Sequence, residues 1–460
     1  GQPPQFLQAS TQKDIVFRAC FFVRLLFSCL VDADFLDTER FMDPTRAASR
    51  PVGPSLDLLD ETLARHLESL VAGVTPSKVN LVRSQVLRDC LSTAESSPGL
   101  FSLTVPTGGG KTLSSLAFAL RHAKIHELSR VVYAIPFTSI VEQTASVFRE
   151  ALDGCSPDVV IEHHSLRDPD ADSQGARLAS ENYDAPIVVT TNVQLFESLF
   201  SNKPSRCRKI HNLANAVVIL DEAQCLPRGL LLPTLRALEC LLAAGASVVL
   251  CTATQPALEK RDSFDGLPPA REIVTDPGTL FEVLSRVELV QRGELTTEEL
   301  AEALTESPKV LAIVDTRTQA AEVFSTLRGL SMDTEDIFHL SRNLCALDRE
   351  DVLRRVRQRL KAGRPCRLVA TTLVEAGVDV DFPRVFRSMA GLDSLAQAAG
   401  RCNREGKLSG KGQLTVFTLV GRPLRGERAA TADAGRSVLN RFAAAPFCPE
   451  AVNSYFREVY

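Results

Sequence analysis

Thr104–Leu120 reads "TVPTGGGKTLSSLAFAL": a β-type approach, three successive glycines, Lys111 and Thr112, then apolar residues at helical spacing. Strand, glycine-rich loop and helix start, in that order, let backbone N–H groups turn toward phosphate oxygens. Gly108, Gly109 and Gly110 permit close approach, with Thr107 before them. Lys111 supplies a charge to β and γ phosphates, and the Thr112 hydroxyl suits Mg²⁺. Val105 stands where the strict phosphate-loop pattern has its first glycine, a departure that leaves the lysine, the threonine and the preceding glycines intact. The bland alternative, a turn with an exposed lysine, is disfavoured by the three elements occurring together.

Outward from this stretch, short β-rich runs alternate with helical patterns: "FSLTVPT", "VVYAIPF", "PIVVTT", "AVVILDEA" and "ASVVLCTAT". Runs that are apolar on both faces belong in a parallel sheet covered by helices. "RDSFDGLPPAREIVTDPG", Arg261–Gly278, breaks the rhythm with Pro, Asp and Gly and reads as an interdomain linker. The alternation resumes with "SRVELV", "KVLAIVDT", "CRLVATT", "RVFRSMA" and "QLTVFTLV". The expected fold class is α/β, two tandem parallel-sheet domains after a small helical N-terminal segment. The expected boundaries are 1–60 for that segment and its connector, 61–275 for the first domain, 276–440 for the second and 441–460 for the start of a C-terminal accessory region.

The totals agree with a two-domain globular chain: 460 residues, 45% hydrophobic, 23% charged. A net charge of −4 gives no global basic footprint, so any nucleic-acid contact must come from a local groove. Twelve cysteines without a CxxC pair read as reduced thiols and a cytoplasmic protein. "ACFFVRLLFSCLV", Ala19–Val31, is interrupted by Arg24 and is shorter than the roughly 20 residues a membrane crossing takes. The chain starts without Met and ends abruptly at "SYFREVY", which reads as a fragment.

"VVILDEAQCL", Val217–Leu226, drives four apolar residues into two carboxylates. A buried Asp and Glu need a cation. At the carboxyl end of a strand beside the phosphate loop, Asp221 would face the Mg²⁺ held by Thr112, and Glu222 would orient or deprotonate the attacking water. Gln224 does no acid–base chemistry, and its expected task is a hydrogen bond across the domain cleft that reports nucleotide state. In "SLAQAAGRCNREG", Gln397, Arg401 and Arg404 are spaced four and three apart, which predicts one helical face. The guanidinium groups of the two arginines would reach the γ-phosphate as arginine fingers.

In this order the motifs resemble a superfamily two helicase motor with two RecA-like domains. "PTGGGKT" matches motif I, "AIPFTSI" motif Ia, "VTTNVQ" motif Ib, "DEAQ" motif II, "TAT" at Thr252–Thr254 motif III, "ATTLVEAGVDVD" motif V and "QAAGRCNR" motif VI. "YAIPFTSIVEQTA", "IEHHS", "HLSRNLCALDRED" and "LAQAAGRCNREG" are similar in particular to the CRISPR-associated helicase-nuclease of type I interference systems, over about Leu81 to Val420. That resemblance implies ATP and Mg²⁺ as cofactors, with Gln85, Gly377 and Asp379 completing the nucleotide-binding set. It also implies 3′ to 5′ travel on single-stranded DNA and recruitment by a type I CRISPR surveillance complex. "FSCLVDADFLDTERF" resembles the last helix of the family's HD nuclease, with Asp34 matching a metal ligand of that domain, and no His precedes it. One carboxylate does not hold a catalytic metal pair. The expectation is therefore a nuclease remnant over 1–60, the nuclease being absent or carried on another chain, and only the start of the accessory region after residue 440. A divalent transition metal is expected only with the whole nuclease.

Strand contacts are expected from Thr138, Ser139, Thr190, Thr191, Asn192, Thr316, Arg317, Thr371 and Thr372, whose hydroxyl and N–H groups suit backbone phosphates. His163 and His164, with Asp168 nearby, read as structural, because adjacent strand residues point to opposite faces. Cys225, Cys251 and Cys402 read as packing residues. "LRRVRQRLKAGR" reads as a solvated helix face. Two alternatives stay open: a superfamily two helicase acting on RNA or in DNA repair, and an ATP-switched binding module that does not travel.

Overall fold

The computed structural model describes residues 12–51, 53–72, 77–165, 173–375 and 377–460, without the side chains of Gln12, Lys13 and Ser139. Two compact units divide the chain between Thr275 and Asp276, with Pro106–Gly109 grouped with the second.

The first unit is built on seven strands: β1 Leu100–Thr104, β2 Arg130–Ile135, β3 Val160–His163, β4 Ile187–Thr191, β5 Ala216–Asp221, β6 Ser247–Thr252 and β7 Arg271–Glu272. Their order is β3-β4-β2-β5-β6-β1-β7, and every pair is parallel. Val217, Val218, Ile219 and Leu220 are fully buried, as the apolar run requires of a strand covered on both faces. Two features depart from expectation. Strands β1 and β5 are not neighbours, because β6 lies between them and brings Thr252 to the edge where the chemistry sits. The stretch read as a linker also folds in part into this unit. Its β7 pairs with β1, and the Glu272 carboxylate accepts from Ser102 Oγ at 2.8 Å, Thr104 N at 3.0 Å and Thr104 Oγ1 at 2.6 Å. Pro and Gly signal a break in helix and strand rhythm, but they do not exclude a two-residue edge strand.

The helix Gln12–Met42 is fastened to this unit by polar contacts. Arg208 Nε donates to Asp32 Oδ1 at 2.7 Å, Asn182 donates to Asp32 Oδ2 at 3.0 Å, and Ser28 Oγ donates to the Cys207 carbonyl at 2.6 Å. Pairing two buried charges offsets the penalty of removing each from water. Among the described residues no helix is long and apolar enough to cross a membrane.

The second unit is built on β8 Val287–Leu295, β9 Lys309–Val314, β10 Ile337–Leu340, β11 Cys366–Thr371, β12 Arg384–Ser388 and β13 Gly412–Leu419. The order is β10-β11-β9-β12-β13-β8, again parallel throughout. Helices Thr297–Thr305 and Arg317–Leu330 start with capping boxes, Thr296 with Glu299 and Thr316 with Gln319. In both sheets the expected strands form, the strand expected at His163 is the short β3, and β7 and β10, each four residues or fewer, are additions to the sequence reading. The helix Ala346–Lys361 that carries the basic run buries only Val356, in keeping with a solvated face.

Candidate active site

In an open parallel sheet, functional residues gather beyond the carboxyl ends of the strands. The loop after β1 turns through Gly108 at φ 87° and Gly110 at φ 90°, values that carry little penalty only for glycine. A Cβ on Gly110 would also stand 3.2 Å from Arg83 Cγ. The helix Lys111–Ile125 begins at once, placing Lys111 and Thr112 in its first turn. Lys111 Nζ lies 3.2 Å from Glu222 Oε1.

Glu222 adopts φ 50° and ψ 52°, a left-handed conformation that a non-glycine residue holds only when its surroundings enforce it. Here Glu222 N donates to Asp221 Oδ1 at 3.0 Å, and Gln224 Nε2 donates to Glu222 Oε2 at 2.7 Å. The amide oxygen of Gln224 accepts from Thr252 Oγ1 at the end of β6, and Thr252 Oγ1 in turn accepts from Thr254 N at 2.9 Å. Both of these Gln224 bonds are made within the first unit. The neighbouring β6 supplies the partner at hydrogen-bond range.

Burial and the adjacent Glu222 carboxylate push Asp221 up to about 6, against the pull of the Lys111 ammonium. Burial opposes the charge on Lys111, but Glu222 and Asp221 outweigh it and hold its pKa above the ordinary lysine value. The two acids thus carry more negative charge than one lysine neutralises. That imbalance fits a divalent cation at Asp221, with the Thr112 hydroxyl as the second donor. Tyr133 is a residue the sequence reading missed. Its hydroxyl donates to Asp221 Oδ2 at 3.3 Å and meets Ser115 Oγ at 3.3 Å. A lone tyrosine inside the aliphatic run "VVYAI" was the available signal. Burial and Asp221 push the Cys251 thiol well above its usual range, and burial pushes Cys402 up to about 12, as suits packing residues.

Gln85, on the helix Lys78–Thr93, donates to Asp89 Oδ1 at 2.6 Å and accepts from Arg88 at 2.5 Å, which fixes its amide. In the second unit the helix Leu392–Ala399 carries Gln397 but stops at Gly400, so Arg401 and Arg404 do not continue one helical face. Asn403, at φ 46°, redirects the chain there. The guanidinium of Arg401, 6% exposed, donates to the carbonyls of Glu375 and Val378, at 2.9 Å from Nη2 and 2.5 Å from Nη1. Arg404 differs: its side chain is 24% exposed and pairs with the exposed Asp379 at 3.4 Å, while Asp381 accepts from Arg404 N at 2.7 Å. Gly377 has φ 71° in the same loop.

The expected strand-contacting residues divide by exposure. Thr316, Arg317 and Thr372 are exposed and Thr138 is half-buried, whereas Thr371 is buried. The Ser139 side chain lies outside the described residues. Thr190 is fully buried, with Oγ1 donating to the His163 carbonyl at 2.8 Å, so its hydroxyl serves the core, a correction imposed by its place on a central strand. Thr191 Oγ1 caps the next helix by accepting from Gln194 N at 3.1 Å. Asn192 is the reverse case: it is 6% exposed and, among the described residues, neither atom of its amide has a hydrogen-bond partner. His163 bonds the Tyr183 hydroxyl at 2.9 Å, and His164 faces Glu162 and Glu142 at 3.6 and 3.8 Å. Among the described residues no three His, Cys, Asp or Glu are placed to hold a metal ion, and Asp168 lies outside them. Asp34 is exposed beside a cavity of about 660 Å³ lined also by Arg46, His163, Arg208 and Lys209.

Two family models match the chain: a DEAD/DEAH box helicase over residues 83–262, and the C-terminal part of the CRISPR-associated nuclease/helicase Cas3 over residues 306–407. The CRISPR-associated nuclease/helicase Cas3 of Haloferax volcanii is 29% identical, over 70% of this chain and 46% of its own length. The chain is thus similar to the helicase part of Cas3. It spans about half the length of the curated relatives it matches. Its fold is similar to that of T. fusca Cas3 solved with ATP, at TM-score 0.66 and 20% identity over 84% of this chain and 54% of that one. A chain of a CRISPR RNA-guided surveillance complex in a pre-nicking state is similar at TM-score 0.58 and 18% identity, over 84% of this chain and 51% of that one. Such likenesses are of fold. Apart from Pro106–Gly109, the DEAD/DEAH box helicase model falls within the first unit, and the Cas3 C-terminal model falls within the second.

Proposed function

We propose that the chain hydrolyses ATP to move stepwise along single-stranded DNA, 3′ to 5′, and so unwinds target DNA in type I CRISPR interference. The observation that carries the reading is the chain of contacts from Lys111 through Glu222 and Gln224 to Thr252, which gathers motifs I, II and III at one sheet edge. Lys111 binds the β and γ phosphates. Thr112 and Asp221 would hold Mg²⁺, which when bound neutralises charge developing on the phosphoryl oxygens. Glu222 orients the attacking water and takes its proton. Gln85 recognises the base, and Arg404, whose side chain is the less enclosed of the two arginines, serves as the finger. Thr138, Asn192, Thr316, Arg317 and Thr372 contact the strand backbone. A type I CRISPR surveillance complex is the partner that the family suggests.

The test is the ATPase rate without nucleic acid, with single-stranded DNA and with RNA of equal length, alongside strand displacement. Stimulation and displacement specific to DNA are expected. Stimulation by RNA alone would move the protein to RNA metabolism, and nucleotide-dependent binding without displacement would make it a switch.

A further inference from the structure

At the heart of the second unit lies an ionic cluster that ATP chemistry does not require. Arg387, on the central strand β12, is 1% exposed. Its Nε donates to Glu375 Oε1 at 2.6 Å, its Nη1 to Asp315 Oδ1 at 2.9 Å, and its Nη2 to Ser394 Oγ at 3.1 Å. Two hydroxyls close the cluster: Ser394 Oγ donates to Glu375 Oε2 at 2.8 Å and Ser388 Oγ to Asp315 Oδ2 at 3.0 Å.

Each partner sits beside a different functional segment. Asp315 directly precedes Thr316 and Arg317. Glu375 follows the turn Thr372–Val374, and its own carbonyl accepts from Arg401. Ser394 stands on the helix that presents Gln397, one turn earlier. One planar guanidinium therefore joins two strand-contacting loops to the motif VI helix. The arrangement is expensive: two carboxylates share one cation, and burial raises Glu375 above its ordinary value. Apolar residues of similar volume would hold the strand ends together at lower cost, since buried ion pairs seldom improve on them for stability. What a multidentate cluster adds is a fixed relative placement of its members.

We propose that Arg387 is a positioning residue that couples strand binding at Thr316, Arg317 and Thr372 to ATP turnover through Glu375 and Ser394. The inference rests on the reading of the region as a DNA-stimulated ATPase. Two variants test it in the full chain: Arg387→Lys, which keeps the charge and loses the fork, and Ser394→Ala, which removes one hydroxyl at a half-buried helix position where Ala is a good helix former. Basal turnover, the KM for ATP and the Kd for single-stranded DNA are expected within about twofold of the parent, while stimulation by DNA falls at least about fivefold. Ser394→Ala keeps the test open if Arg387→Lys fails to fold. Full stimulation in folded Ser394→Ala overturns the coupling role, as does a loss in which turnover, KM and Kd decline together with thermal stability. Absence of stimulation in the parent protein overturns the functional reading and this inference with it.

Discussion

Lys111 Nζ and Glu222 Oε1 stand 3.2 Å apart, so the lysine proposed to meet phosphate and the acid proposed to meet water are joined by a hydrogen bond. Lys111→Ala is expected to abolish DNA-stimulated hydrolysis without changing the circular dichroism spectrum. Glu222→Gln is expected to keep nucleotide binding and lose about 10²–10⁴-fold in turnover, read by fluorescent-nucleotide titration and phosphate release.

Arg404 and Arg401 should separate in a paired measurement. Arg404→Ala removes a partly exposed cation and is expected to lower kcat by about 10³-fold with stability within about 0.5 kcal/mol of the parent. Arg401→Ala strips two carbonyls of a buried donor and is expected to destabilise the second unit by about 2–3 kcal/mol, seen as a lower melting temperature before any kinetics are run. Equal thermal losses in both would assign Arg404 a structural role too.

The paired strand residues Thr190 and Asn192 give opposite expectations. Thr190→Val removes the hydroxyl that donates to the His163 carbonyl, which costs about 1 kcal/mol of stability, and leaves DNA affinity unchanged. Asn192→Ala gives up no amide hydrogen bond among the described residues, so melting should hold or rise, while DNA affinity weakens by about three- to tenfold, the worth of one hydrogen bond of about 1 kcal/mol. Fluorescence anisotropy with a labelled oligonucleotide reads both.

His122 gives the first unit an acid limit. Burial pushes its pKa down to about 4, and the ring nitrogens bond the Ala94 carbonyl and Ser247 Oγ, each at 2.8 Å. The unfolded chain takes up a proton near pH 6.5 and the folded one only near 4. Stability is therefore complete above about 6.5 and declines as pH falls between those values, by on the order of 2 kcal/mol. In His122→Gln the pH-dependent part of this decline should vanish, although the variant starts from a lower melting temperature.

Motif order and apolar runs made the two sheets legible in the sequence, because a strand buried on both faces leaves a dense local signal. Of the candidate site, Asp221 and Glu222 stand out at the end of such a run, and Lys111 stands out by the glycine loop before it. The partners of Gln224 were not, since strand order in a parallel sheet is set by long crossovers and nothing near residue 224 reports that β6 separates β1 from β5. Thr190 misled because pattern alone does not separate a buried strand hydroxyl from an available one, and its bond to the His163 carbonyl reveals which it is. Helical spacing likewise carried Arg401 and Arg404 past the true end of their helix, which Gly400 and the left-handed Asn403 set. Arg387 gave no warning at all: the second of the two arginines in "RVFRSMA" is indistinguishable by pattern from a strand-edge arginine.

The pairing of β7 with β1 has a bearing on how the chain comes off the ribosome. β1 begins at Leu100, yet the strand that flanks it, and the carboxylate that ties down Ser102 and Thr104, are not synthesised until Arg271 and Glu272. The nascent first unit must wait with an open sheet margin beside its phosphate loop. A shortened version of this unit, for expression or crystallisation, should therefore extend through Thr275, since ending it near residue 260 would remove the final strand of that sheet.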